Sequence, residues 1–168
     1  MTLAWIDEGM LVELEQAAGA SPRRRQHRNL HRDYSDPAQR LLNHVCMDSY
    51  IRPHRHFVSG CDETLIALKG LFGIVTFDGD GEICEMGRFG SEYHAAQSGC
   101  PLAVVVEPHT WHTVLALTPG AVLLECKAGP FDPNAAKEQA HWAPEEGSSA
   151  APGYLRELRE RLLGSETT

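Results

Sequence analysis

Residues 53–70 read PHRHFVSGCDETLIALKG, and this stretch decides how the rest of the chain is read. His54 and His56 are separated by one residue. On an extended strand alternate residues face the same side, so both imidazoles point one way and can offer two nitrogens to one metal ion. Glu63 follows after a short loop containing Gly60 and heads the next apolar run, from which it can cross back toward the pair. Further on, Pro108-His109-Thr110-Trp111-His112 opens another strand and supplies a fourth candidate. A lone His-x-His pair more often satisfies ordinary hydrogen bonds than it binds metal. Here the Glu, the Gly70 seven residues beyond it and the downstream turn with His112 all agree with a metal site.

Three imidazoles and one carboxylate suit Mn, Fe, Ni, Cu or Zn. No thiolate takes part, which argues against a sealed structural zinc site. Four protein ligands on an octahedral ion leave two positions for water or substrate. The expected cofactor is one divalent ion, Zn, Ni, Mn or Fe, held by His54, His56, Glu63 and His112.

Outward from this centre the chain reads as β-rich. Residues 64–78 (TLIALKGLFGIVTFD) are apolar and β-branched, broken by Gly70 and Gly73. Asp78-Gly79-Asp80-Gly81 is a turn signal, and EICEMGRF follows, so two strands pair as a hairpin. Further strands are expected at 45–52, 102–107, 112–118 and 121–127, the last two separated by Pro119-Gly120. Many short strands with regular turns indicate a sandwich or barrel. Residues 6–18 carry Ile6, Met10, Leu11 and Leu14 near helical spacing after Asp7 and Glu8, and predict a helix ending near Gly19, Ser21 and Pro22. Residues 23–36 read as polar and irregular. At the other end 143–153 (APEEGSSAAPG) read as a low-complexity linker, and Leu155, Leu158 and Leu162 mark a short helix over 154–163.

The 168 residues suit a single domain. It divides into an N-terminal helix and basic segment (1–36), a barrel (37–146), and a linker with a C-terminal helix (147–168). A net charge of −8 argues against a nucleic-acid partner. The charge is uneven: residues 23–40 hold six arginines against Asp33 and Asp36. Such a segment meets an anion or pairs with the protein's own acids. Five scattered cysteines without a CxxC pair suggest free thiols in a reducing compartment. The absence of a signal-like start or a membrane-length apolar run leads to a cytoplasmic expectation without a membrane partner.

Other residues are candidates for binding a small molecule. Arg28, Asn29 and His31 precede the barrel, and if the segment folds over its mouth, Arg28 could fork a phosphate or carboxylate. Tyr50 and Arg52 have the parity of His54 and His56 and are expected to share their side. Glu125 and Lys127 alternate on the last strand, and either line the cavity or lie outside in solvent. Trp111 and Trp142 read as packing residues.

The order His-x-His, Glu, six residues, Gly resembles the first cupin motif, with His54, His56, Glu63 and Gly70 as its parts. Pro108 and His112 resemble the second. The gap between His56 and Glu63 is two or three residues wider than usual, and His109-Thr110-Trp111 fills a space that usually contains a Gly, making His109 a reserve ligand. More closely, the chain resembles the WbuC family of cupin-fold metalloproteins from about residue 6 to about 146. The strings SPRRRQHRNLH, DPAQRLLN, SYIRPHRH, EPHTWH, ECKAGPF and AHWAPEE carry the likeness. That resemblance implies an all-β jelly-roll barrel with an N-terminal helix and a short C-terminal one. It also implies a link to bacterial surface polysaccharide (O-antigen) synthesis. The functions it leaves open are a Lewis-acid sugar isomerase or epimerase, a dioxygenase, and a non-catalytic metal-dependent sensor. A homodimer is expected, as cupins commonly pair.

Overall fold

The computed structural model describes residues 3–56, 62–132 and 137–164; Gly60 and Cys61 lie outside the described residues. Among the described residues, ten strands form two five-stranded antiparallel sheets facing each other, with three helices. The first sheet runs β1 (Arg25–Asn29), β2 (Ala38–Val45), β9 (Ala121–Ala128), β4 (Glu63–Lys69), β7 (Ala103–Val106). The second runs β10 (Glu138–Gln139), β3 (His54–Arg55), β8 (Trp111–Ala116), β5 (Leu71–Phe77), β6 (Ile83–Gly90).

The expected hairpin is β5–β6, turning at Asp78, whose Oδ1 accepts from Asp80 N and Glu82 N at 2.9 Å each. Gly70 turns the chain from β4 to β5 with φ 81°, and a Cβ there would meet Ala121 and Thr118. The inward faces change character along the strands. β4 passes from Glu63 to Leu65 to Ala67, and β8 from His112 to Val114 to Ala116. The apolar end is sealed by Val45, Leu65, Phe72, Phe89, Leu123 and their neighbours. The other end is left as a polar cavity.

Helices cover the outer faces. In α1 (Glu8–Ala20) the Asp7 side chain accepts from Met10 N at 2.9 Å and caps the first turn. Its Leu14 packs with Leu42 and Val122. In α3 (Ala151–Gly164) Leu155, Leu158 and Leu162 bury against Val75, Phe77, Trp111 and Leu115. This is why β8 is buried along its whole length. A third helix, α2 (Glu92–Ser98), follows β6 and was not anticipated. No helix among the described residues is long and apolar enough to cross a membrane.

Several expectations are corrected. Residues 46–53 are not a strand, because β2 ends at Val45 and a turn closed by Ser49 N to Cys46 O follows. Residues 23–36 are not irregular throughout: β1 pairs with β2, so a boundary at 36 would cut the first sheet. The stretch 143–150 is pinned rather than free. Pro144 O accepts from Tyr50 Oη at 3.0 Å, and the Glu146 carboxylate accepts from Arg25 at 2.6 and 2.8 Å.

One polar residue lies under α1. His44, 2% exposed on the outer face of β2, has an Nδ1 with no hydrogen-bond partner among the described residues. Burial pushes its pKa below the ordinary value. The unfolded chain then takes up a proton near pH 6.5 that the folded chain refuses. Its contribution to stability is therefore present above pH 6.5 and lost as pH falls. Replacing His44 with Met is expected to reduce the loss of stability between pH 7.5 and 5.5 by up to about 1.4 kcal/mol per pH unit. Urea midpoints at the two pH values measure it; an unchanged pH slope would refute it.

Candidate metal centre

β3 is two residues long, yet it sets the site. His54 pairs with Gln139 of β10 on one side and with His112 of β8 on the other. His54 Nδ1 lies 3.0 Å from the carbonyl of Arg52, and His112 Nδ1 lies 2.9 Å from that of Thr110. A carbonyl only accepts, so each Nδ1 carries a proton and each Nε2 is the nitrogen left for a ligand bond. With His56, the rings have centroids 4.6, 5.2 and 5.8 Å apart, and one nitrogen from each lies within 4.8 Å of the others.

Glu63 reaches this group from the opposite sheet. Its Oε2 stands 3.5 Å from His56 Nε2 and 3.4 Å from His112 Nε2, and its Oε1 accepts from Lys127 Nζ at 3.2 Å. His54, Glu63 and His112 are 9%, 5% and 2% exposed. Burial, reinforced by His112, holds His54 well below the usual histidine range, so the ring is neutral. For Glu63 burial acts upward, but contacts with His112 and His56 and the charge of Lys127 outweigh it, and the carboxyl stays well below its usual range. A neutral His54, the ring nitrogens of His56 and His112 and an ionised carboxylate turned to one place fit a divalent metal ion.

Above the cluster opens a cavity of about 310 Å³. Asn29, His31, Glu125 and Lys127 line it with the four metal candidates. Glu125 accepts from Asn43 Nδ2 at 3.0 Å, and burial, with the negative charge of Glu63, pushes its pKa up. Three expected ligand contacts lie elsewhere. Arg28 has the outward parity of β1 and pairs with Glu13 of α1 at 3.1 Å. Tyr50 sits in the cluster beneath α3, and Arg52 Nε donates to Ala140 O at 2.9 Å. Their parity with His54 does not carry through, because residues 50–53 are not a strand, and Ile51 lines the cavity instead. His109 is exposed and outside the lining, with φ 65°, the left-handed backbone that a glycine adopts most easily. Trp111 and Trp142 pack as expected, 6.1 Å apart.

Arg23, Arg25 and His27 also line the cavity and were not singled out. The signal was available: in RRRQHRNLH, alternate residues Arg23, Arg25, His27, Asn29 and His31 all face inward. A polar inward face does not look like a strand when apolar alternation is the guide.

A family model described as a domain of unknown function, DUF6016, matches residues 6–89, half of the 168 residues. The chain belongs to the DUF6016 family. The matched part of this DUF6016 member spans α1 to β6 and includes His54, His56 and Glu63 but not His112. No curated protein matches it in sequence. Among solved structures it is similar to an uncharacterised conserved protein with a double-stranded β-helix domain from Klebsiella pneumoniae. The two share 12% identity over 83% of this chain and 99% of that one, with a TM-score of 0.55. It is also similar to pumpkin pro-11S globulin, at 11% identity over 71% of this chain and 29% of that one, TM-score 0.52. A Shewanella oneidensis protein matches at 13% identity over 67% and 72%, TM-score 0.51. The DUF6016 member therefore has the cupin fold, a jelly-roll barrel with an N-terminal and a short C-terminal helix.

Replacing His109 with Gly is expected to raise stability by about 0.5–1 kcal/mol. Left-handed backbone costs a residue with a side chain about 1–2 kcal/mol, and the freedom glycine gains when unfolded returns part of that. Urea unfolding measures it; a lower midpoint would mean that the His109 side chain holds the turn.

Proposed function

We propose that this DUF6016 member is a cupin metalloprotein that holds one divalent ion, Zn, Ni, Mn or Fe, with His54, His56, Glu63 and His112. It binds a small polar ligand against that ion, of the nucleotide-sugar or carbohydrate class, and acts as a Lewis-acid isomerase or epimerase. The observation that carries the reading is the convergence of ring nitrogens of His54, His56 and His112 on an ionised carboxylate from the facing sheet.

A bound divalent ion would supply Lewis acidity, polarising a ligand carbonyl. The chain's own groups do the rest. Lys127 keeps Glu63 anionic and turned inward. Glu125, oriented by Asn43, has a raised pKa and is the group suited to hold or pass a proton at a ligand oxygen in the cavity. The resemblance to the WbuC family supports a place in bacterial surface polysaccharide (O-antigen) synthesis in the cytoplasm. Exposed Leu3, Trp5 and Ile6 (66, 74 and 47%) support a homodimer. The negative net charge supports the reading without nucleic acid.

Protein purified without chelators is expected to carry about one equivalent of metal by elemental analysis. Retention should fall below about pH 6, where free imidazole takes a proton. His112→Ala and the double variant His54→Ala, His56→Ala should lose the metal while circular dichroism still reports a folded barrel. Full metal content in the double variant refutes the site. Solvent deuterium entering a nucleotide sugar supports the isomerase reading. Oxygen uptake with iron would instead support a dioxygenase, and ligand binding without turnover a sensor.

A further inference from the structure

The inward face of β1 has a use that the metal reading leaves open. His27 and Asn29 project into the cavity from this edge strand, and His31 follows two residues on. The register runs Glu63 to Lys127 to Gln39 across β4, β9 and β2. Carried two residues beyond Asn29–Leu41, the β1–β2 pairing sets His31 beside Gln39. His31 therefore belongs to the same rung as the metal-facing carboxylate, at the far edge of the sheet.

The proton on His31 can be assigned. Arg40 O accepts from Leu30 N at 2.8 Å, so both main-chain groups of Arg40 point toward β1. Arg40 N stands 3.1 Å from His31 Nδ1, and an amide N–H can only donate. Nδ1, which also lies 2.9 Å from the already engaged Arg40 O, is therefore the acceptor, and the neutral ring carries its hydrogen on Nε2. That Nε2–H is buried, in a residue 8% exposed, and has no partner among the described residues. A buried donor calls for an acceptor.

The surroundings say which kind. His27 is held below its ordinary pKa by burial and by the positive charges of Arg23, Lys127 and Arg25. Arg25 is compensated by Glu146, and Lys127 by Glu63, whose own charge a metal ion would engage. The remaining field is positive, with Lys137 also on the lining, and the His31 Nε2–H is a donor within it.

We propose that His27, Asn29 and His31, along the inward face of β1, form an anion subsite. It takes the carboxylate or phosphate end of the ligand whose other end meets the metal centre. The orientation rests on the proposed metal site; the subsite itself does not.

The test is titration with inorganic phosphate and, separately, acetate, followed by the ring proton–carbon NMR signals of the histidines. It is run on zinc-loaded protein and on the His54→Ala, His56→Ala variant. Saturable shifts of His27 and His31 at millimolar anion are expected in both proteins, and the stronger arm distinguishes phosphate from carboxylate. His31→Phe should weaken binding at least tenfold, whereas His31→Gln, which keeps a donor, should stay within threefold. Shifts confined to His54, His56 and His112, or unchanged affinity in a folded His31→Phe, overturn the subsite. If His31→Phe fails to fold, the ring shifts of the unaltered protein decide. Failure of the metal reading would appear separately, as absence of bound metal with the β1 shifts intact.

Discussion

The pairing of His54 with His112 across β3 and β8 is the contact on which the site depends. A two-residue strand has little hold of its own, so its position is imposed from outside. The irregular chain leading to it has its carbonyls taken one after another. Arg159 takes Met47 O, Arg25 takes Tyr50 O, Thr113 Oγ1 takes Ile51 O, His54 Nδ1 takes Arg52 O, and Ala140 N takes Pro53 O. Apart from His54 itself, these donors come from α3, β1, β8 and the segment after β10. Backbone outside regular structure must find partners somewhere, and here the partners are the elements that surround the cavity. The metal candidates are thus held by the whole fold rather than by their local sequence.

The barrel then accommodates two unlike ends. At the apolar end the two sheets close on each other, with Phe72 stacked on Phe89 at 5.5 Å. At the polar end Glu63 and Glu125 are buried acids, and an isolated buried charge is costly. Lys127 and the imidazoles offset it for Glu63, while Glu125 accommodates burial by favouring its neutral form. The same strands serve both ends because their inward residues switch from polar to apolar within two or three positions.

What could be read in the sequence follows from this. The His54–Gly70 stretch was legible because its chemistry is local: spacing on a strand fixes direction. The β5–β6 hairpin was legible through Asp78-Gly79-Asp80-Gly81, and α3 through its leucines. The strand β1 was not, since its inward side carries Arg25, His27 and Asn29 where apolar residues would mark a buried face. Residues 46–52 read as a strand because they alternate, but their carbonyls are claimed by side chains and distant amides, and Tyr50 and Arg52 turn outward as a result. Arg28 had the right chemistry and the wrong parity.

The order of the first sheet carries one more consequence. β9 lies between β2 and β4, so the sheet is two separate pieces until residues 121–128 arrive. Asn43 and Glu125, which meet across that junction, are 82 positions apart in the chain. Closing so long a loop costs chain entropy before any contact repays it, and folds dominated by such distant pairings reach the native state slowly. A nascent chain that ends before β9 has no Lys127 to hold Glu63 and no strand to join its halves. The first sheet and the contacts of Glu63 are therefore completed by the same strand.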